Sequence, residues 1–359
     1  MQEKILYAVL FVLIALMLAI PALAGLSTAQ PSAALPSHDS ITGREPDRQQ
    51  EPAVASSSEK ETVVSTPESD KNGSDEKTQT EVAVYFPQEN LARPLPLEEY
   101  IRGVVMAEMP ATFDPQALMA QAVAARTYCL YHIKHGKQHA DTDAMICTDY
   151  THCMAYLSDS DAAQRWGEEA AADIIAAIEA AVDATRGQYL TYNGEVIAAL
   201  FHSGSRGMTE SAENVWGNPI PYLISVSTPE EPQTEEVCFT ADEWRTLFHD
   251  YGTVNYTALL FQSSDSIEVA SEKNAAGRIR TICSCGRELS GTAWRAAAKL
   301  RSTSCDIAIT DSGVTVTTYG SGHGVGMSQY GADAMAKQGA DYTAILQHYY
   351  PGTVLILPQ

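Results

Sequence analysis

Positive charge is what this sequence has least of. Among its 359 residues, 23 Lys and Arg stand against 45 Asp and Glu, a formal net charge of −22. That deficit argues against nucleic acid as a partner, because phosphate binding needs a basic surface. It equally disfavours docking onto anionic lipid by charge. Cysteine is sparse and odd in number, at positions 129, 147, 153, 238, 283, 285 and 305. An odd set cannot pair fully within one chain, so some thiols are free, metal-bound or paired elsewhere. This is not the pattern of a small disulfide-stapled secreted domain. No internal repeat is visible. The glycine-rich stretch near the C-terminus lacks the Lys of a P-loop, so phosphate binding is not indicated.

What is present divides the chain. Ile5 to Leu26 is an almost unbroken apolar run of about 22 residues, long enough for one bilayer span. Ala22-Leu23-Ala24 after Pro21 has the small-residue form of a signal-peptide cleavage site, but the run exceeds the usual 7–15 apolar residues. We expect an uncleaved signal-anchor at 5–26, with the bulk of the chain outside the cytoplasm. Residues 27–81 are dominated by Ser, Thr, Pro, Glu, Asp and Gln and cannot bury enough apolar surface to fold. They read as a disordered acidic linker with a typical end-to-end distance of about 40–45 Å. A folded region is expected over 82–359.

In that region the pattern predicts a strand at Val82–Phe86 and a helix over Leu97–Met109. A second helix is predicted from Pro115 to about Gly136, capped by Asp114. On that second helix Leu118, Ala122, Ala125 and Cys129 share one face, and Arg126 lies off it. One alanine-rich helix is expected over Ala162–Arg186. Asn193-Gly194 predicts a hairpin between Tyr189–Tyr192 and Val196–Phe201. Further helices are expected at Ala241–Tyr251 and Gly291–Leu300. Strands are expected at Ile267–Ala270, Arg278–Cys283, Ile307–Ile309 and Val314–Thr318, and two short helices and a strand at Thr353–Leu357 close the chain. Helices and strands mix without regular βαβ alternation, so the fold class is α+β, in one elongated, two-lobed region.

Four stretches carry candidate chemistry. Glu108 sits among Met106, Ala107, Met109 and Pro110, where a proline stops a helix. A carboxylate in apolar surroundings is disfavoured in its charged form, which suits a general acid near neutral pH. The polar segments His202–Gly207 and Gly320–Gly331 are rich in glycine, which permits close backbone approach to a ligand. Cys147, His152 and Cys153, with His139 upstream, offer two thiols and two imidazoles that suit tetrahedral zinc. A disulfide, or two unrelated thiols, is the alternative. The state of Cys238, Cys283, Cys285 and Cys305 is left open.

The sequence resembles the stage II sporulation protein D family. The resemblance rests on Glu108-Met109-Pro110, Gln121 to Tyr128, Phe201 to Glu210, Val215-Trp216-Gly217, Gly322 to Ala332 and His348 to Thr353, in that order. It covers about residues 82–359. It implies a peptidoglycan lytic transglycosylase, cutting between N-acetylmuramic acid and N-acetylglucosamine of peptide-free strands to leave 1,6-anhydro ends. It implies Glu108 as the catalytic residue and Arg126, His202, Ser203, Ser205, Arg206, His323, Gln329 and Tyr330 as substrate-binding residues. Gly204 stands where the family commonly has Thr. No cofactor is expected for catalysis, and the resemblance implies a structural zinc on His139, Cys147, His152 and Cys153. The implied partners are glycan strands, a sporulation amidase and membrane engulfment proteins. The implied location is the cell membrane, single-pass, with the catalytic region on the mother-cell side of the engulfment space. Two other classes fit the same features: a non-catalytic glycan-binding module, and a zinc- or Cys/His-dependent wall amidase.

Overall fold

The computed structural model describes residues 80–139, 142–255 and 267–358. No helix among them is long and apolar enough to cross a membrane. This overturns the expected single-pass membrane location, which rested on the apolar run and on the family resemblance. That run lies outside the described residues, as does the 27–81 linker but for Thr80 and Glu81.

The described residues form an α+β fold of nine helices and five small sheets. Helix Pro115–His135 is the axis of the larger part. Asp114 caps it by accepting from the Gln116 amide, and Pro115 fills its first position, where no N–H is needed. Its small residues Ala117, Ala120, Ala122, Ala124 and Ala125 are all buried. Small side chains let neighbours approach on every side, and a helix buried all round shows no polar face. Leu97–Glu108, Glu168–Ala184, Gln329–Lys337 and Tyr342–Tyr349 pack against it. Each fully buried Val, Leu or Ile in this core, such as Ile101, Val104 or Leu190, contributes about 1.5–3 kcal/mol.

A second core gathers Trp244, Phe248, Ile282, Trp294, Val314 and Val316. It lies under two antiparallel sheets. One orders Cys305–Thr310, Gly313–Tyr319 and Thr234–Thr240; the other orders Thr253–Val254, Arg287–Ser290, Ile279–Ser284 and Val269–Lys273. Helix Ala241–Tyr251 joins it through a capping box between Thr240 and Glu243. The buried Trp244 indole donates to Ser284 Oγ at 2.9 Å.

Several elements differ from expectation for identifiable reasons. The alanine-rich stretch is two helices, Asp159–Trp166 and Glu168–Ala184, parted by Gly167 at φ +83. Positive φ is outside the helical region, and glycine takes it at no steric cost. The Asn193-Gly194 hairpin keeps only Glu195–Val196 as its second strand, because Phe201–His202 pairs in parallel with Met327–Ser328 instead. Leu91–Pro96 is a strand despite its prolines, because it lies at a sheet edge where a missing N–H does no harm. Thr234–Thr240 was not expected as a strand; its half-buried residues alternate with exposed ones along its length.

Candidate functional site

Glu108 is the last residue of helix Leu97–Glu108. Met109 turns extended and donates its amide to Val105 O, and the Pro110–Phe113 turn then leads into the axial helix. A carboxylate at the carbonyl end of a helix, with no basic residue in the last turn, has no favourable dipole or cation there. The side chain is half-buried, and its Oε1 accepts the Ala155 amide at 2.7 Å. That hydrogen bond fixes the carboxylate's aim. The fully buried Tyr128 hydroxyl is held protonated well above its usual range, first by burial and then by the nearby Cys153, Cys147 and Glu108.

The two glycine-containing loops meet each other. Gly204 and Ser321 exchange both backbone hydrogen bonds, at 3.1 and 2.9 Å. Gly320 adopts φ +67, and a Cβ there would lie 2.2 Å from Gly204 O; one on Gly326, at φ +75, would lie 2.0 Å from Leu200 O. These glycines therefore serve backbone-to-backbone packing between segments more than a hundred residues apart. Tyr330 donates its amide to Ser203 O at 3.0 Å and lies against Gly204. Its ring meets Phe113 edge-on at 4.9 Å, and Asp114 N donates to Asp333 Oδ1 at 2.8 Å. The turn after Glu108 is thus joined directly to the paired loops.

The other expected contact residues are placed differently. Arg126 does not meet Glu108. Its guanidinium is fully buried and paired with Glu98 at 2.6 Å, with further hydrogen bonds to Gln188 O and Val182 O. Glu98 is ten residues before Glu108 on the same helix, about 15 Å away along its axis. The assignment of Arg126 as a substrate contact is corrected: a side chain without exposure holds helices together and touches no strand. His202 and Ser205 are also buried, at 2% and 0% exposure. His202 Nδ1 faces Val325 O at 3.3 Å, so it carries the proton, and Nε2 accepts from Ser205 Oγ at 2.7 Å. Burial, then His323, Arg278 and Arg295, keep this imidazole neutral far below its usual range. Ser205 Oγ in turn accepts from Arg278 at 3.2 Å. His323 is half-buried, 5.9 Å from the His202 ring, and Gln329 is buried with its amide 3.5 Å from Gln121 Oε1. Arg206 turns away, pairing with Asp306 at 3.3 Å and stacking on Tyr319.

Glu230 escaped the sequence reading. It is 7% exposed; Oε1 accepts from Ser205 N at 2.8 Å and from Ser328 Oγ at 2.6 Å, and Oε2 accepts from Thr228 Oγ1. One carboxylate clamps both loops and, through Thr228, the Tyr349 hydroxyl. In sequence it lies in Pro229-Glu230-Glu231-Pro232, which reads as a solvated acidic turn. No local signal separates it from its neighbour.

His139, Cys147, His152 and Cys153 converge, with all four donor atoms within 4.8 Å of one another. Cys147 Sγ lies 3.8 Å from His152 Nδ1, which lies 3.2 Å from Cys153 Sγ, itself 3.6 Å from His139 Nε2. Ligands at zinc distances on tetrahedral corners are about 3.3–3.8 Å apart, so the donor set fits. The short strand Ile146–Cys147 pairs with Glu81–Phe86 and brings Cys147 in, while Tyr85 stacks on His139. The Cys147 thiol is drawn down to about 5, first by its hydrogen bond from Cys153 and, against the opposing effect of burial, by His152. Thiolate is the form that binds metal. Ala155, which holds Glu108, follows Cys153 by two residues. All seven cysteines are free thiols.

Comparison with known proteins places the chain in a family. The family profile described as "Stage II sporulation protein" matches residues 65–192. The chain is 35% identical over 271 residues to stage II sporulation protein D of Bacillus amyloliquefaciens, covering 76% of this chain and 77% of that one. It is 34% identical over 306 residues to stage II sporulation protein D of Bacillus subtilis (strain 168), covering 84% and 86%. An "Amidase enhancer" of Bacillus subtilis is 29% identical over 306 residues, which are 71% of this chain and 40% of that protein. The α+β fold and these similarities define the class, a sporulation protein. The chain belongs to the stage II sporulation protein D family.

Proposed function

We propose that this chain is a peptidoglycan lytic transglycosylase with Glu108 as its acid and base. The observation that carries the reading is the placement of Glu108. It ends a helix, is aimed by the Ala155 amide, and is joined through Phe113 and Tyr330 to the paired loops. Ordinary glycosidases use two carboxylates, the second either activating water or attacking the sugar as a nucleophile. Here Glu108 gives its proton to the bridging oxygen as the bond from C1 of N-acetylmuramic acid breaks. The resulting carboxylate takes the proton of the same sugar's 6-hydroxyl, and O6 closes on C1. The products are a free 4-hydroxyl and a 1,6-anhydro end, with no water consumed. Loop backbone dipoles stabilise the oxocarbenium charge.

The four-ligand centre supports a structural zinc on His139, Cys147, His152 and Cys153. Four protein donors leave no open position for catalysis. Bound zinc would supply a crosslink between strand Ile146–Cys147 and the loop that carries the Ala155 amide. Ser205 and His202 have the form of a nucleophile and base, but Ser205 is fully buried and engaged by Arg278, which disfavours a hydrolase built on them. A wall amidase is the partner class we infer, from the name of the amidase-enhancer relative. Digestion of peptide-free glycan strands with and without chelator tests the reading. Anhydro products in both, with a lowered thermal midpoint under chelation, support it. Peptide or amide cleavage that chelator abolishes contradicts it.

A further inference from the structure

The axial helix Pro115–His135 buries one hydroxyl that the packing does not satisfy. Tyr128 has no exposure, and its phenol oxygen has no hydrogen-bond partner among the described residues. Nearly all buried polar groups are paired, and an unpaired one costs stability that a phenylalanine of the same shape would not. The ring is well packed without its oxygen: it lies in the main core and meets the His132 ring at 4.3 Å. The oxygen therefore calls for a partner of another kind. Its surroundings point to one. The helix packs on the short strand Ile146–Cys147, which carries one of the four clustered donors, and Cys147 and Cys153 belong to the same core as Tyr128. After burial, the groups acting most on the Tyr128 hydroxyl are the Cys153 and Cys147 thiols, ahead of Glu108. Two other tyrosines at this centre already have partners. Tyr85 stacks on His139 at 5.8 Å, and Tyr100 donates its hydroxyl to Cys147 O at 3.2 Å.

The chemistry of the neighbouring sulfurs explains a reserved donor. A neutral thiol keeps its own proton and accepts weakly. A thiolate is a charged acceptor, and a hydrogen bond to a charged group is roughly twice as strong as one between neutral groups. A cysteine that ligates a metal is deprotonated outright. Metal ligands are in turn held and tuned by an outer layer of hydrogen-bonding groups. We propose that Tyr128 is an outer donor of the four-ligand centre, its hydroxyl giving a hydrogen bond to the thiolate pair of Cys147 and Cys153 when the centre holds zinc. The proposal rests on the zinc reading above and adds a residue that tunes the centre without ligating it. It accounts for a tyrosine at a buried position whose packing phenylalanine would serve equally well.

The test compares the full chain with its Tyr128→Phe variant, which keeps the ring and removes only the oxygen. Zinc affinity is measured by competition with a chromophoric chelator, and Co2+ is added in place of zinc as a spectroscopic probe. The variant should bind zinc about tenfold more weakly, the lower end of the loss for an outer-layer partner. Its thiolate-to-cobalt absorption should move to longer wavelength, because sulfur relieved of a hydrogen bond gives up charge more readily. In excess chelator the variant should melt no lower than the parent, because the oxygen it lacks was unpaired. Tyr100→Phe is the contrast: its hydroxyl is already paired with Cys147 O, so that variant should melt lower with and without metal. A Tyr128→Phe protein with the parent's zinc affinity and cobalt spectrum overturns the proposal. So does one that melts lower than the parent in chelator. A variant whose only change is a displaced pH profile of strand cleavage also overturns it and assigns the hydroxyl to Glu108. Failure of the zinc reading shows separately, as a parent chain that takes up neither metal, and it overturns the proposal with it.

Discussion

Arg126 gives the sharpest contrast between a structural and a catalytic role. Its guanidinium has no exposure, and the Glu98 side chain retains 16%. Removing one partner of a buried pair typically costs about 3–5 kcal/mol. Glu98 still sees some water, and Arg126 keeps its hydrogen bond to Gln188 O at 3.1 Å, so Glu98→Ala belongs at the low end, about 3 kcal/mol. That corresponds to a fall of about 6–12 °C in thermal midpoint for a domain of this size. Replacing both partners by apolar side chains of similar volume leaves no orphaned charge, so Glu98→Leu with Arg126→Met should recover most of the loss. The assay is thermal unfolding beside strand cleavage at 20 °C, well below every midpoint. The structure predicts that cleavage follows folding, so the double variant regains it. A double variant as stable as the parent, yet inactive, would refute the placement of Arg126 outside the site.

Other predictions follow from the loop network. His202 is neutral in the fold and titrates near 6.5 when unfolded, so below pH 6.5 the unfolded chain binds the extra proton and stability falls. The slope is about 1.4 kcal/mol per pH unit, and His202→Gln should flatten it in thermal scans from pH 7 to 5. Gly320→Ala places a Cβ on Gly204 O at positive φ, so it should separate the paired loops, with faster amide exchange at Gly204 and Ser321. Glu230→Ala leaves the Ser205 amide and the Ser328 and Thr228 hydroxyls without their acceptor. It should cost about 3 kcal/mol by denaturant titration, with Glu230→Gln milder because its amide oxygen still accepts.

Much of the scaffold around Glu108 was legible because its signals are local. Pro110 stops one helix and Asp114-Pro115 starts the next, and both boundaries follow from capping chemistry within five residues. The pairings that give side chains their roles were not legible. Arg126 lies off a stripe of small residues, but the alanines let the helix be buried on all sides, and its partner Glu98 stands 28 residues earlier. The glycines of the last loop suggested ligand approach, whereas Gly320 and Gly326 pack on the backbone of Gly204 and Leu200. Glu230 sits in an ordinary polar turn and Arg278 at the start of a strand, and both acquire meaning only when the chain brings Ser205 between them. The four donors His139, Cys147, His152 and Cys153 were legible as a set because all lie within fifteen residues, and the fold brings them together with His139 stacked on Tyr85.

The central claim is that Glu108 is the proton donor. The measurement is mass spectrometry of peptide-free glycan strands after incubation with Glu108→Gln. The amide keeps the size of the side chain and an oxygen to accept the Ala155 amide, so the thermal midpoint should be unchanged. Release of 1,6-anhydro ends should fall by about 10²–10⁴-fold, the contribution of a positioned general acid. A folded Glu108→Gln protein that releases those ends at the parent rate would contradict it.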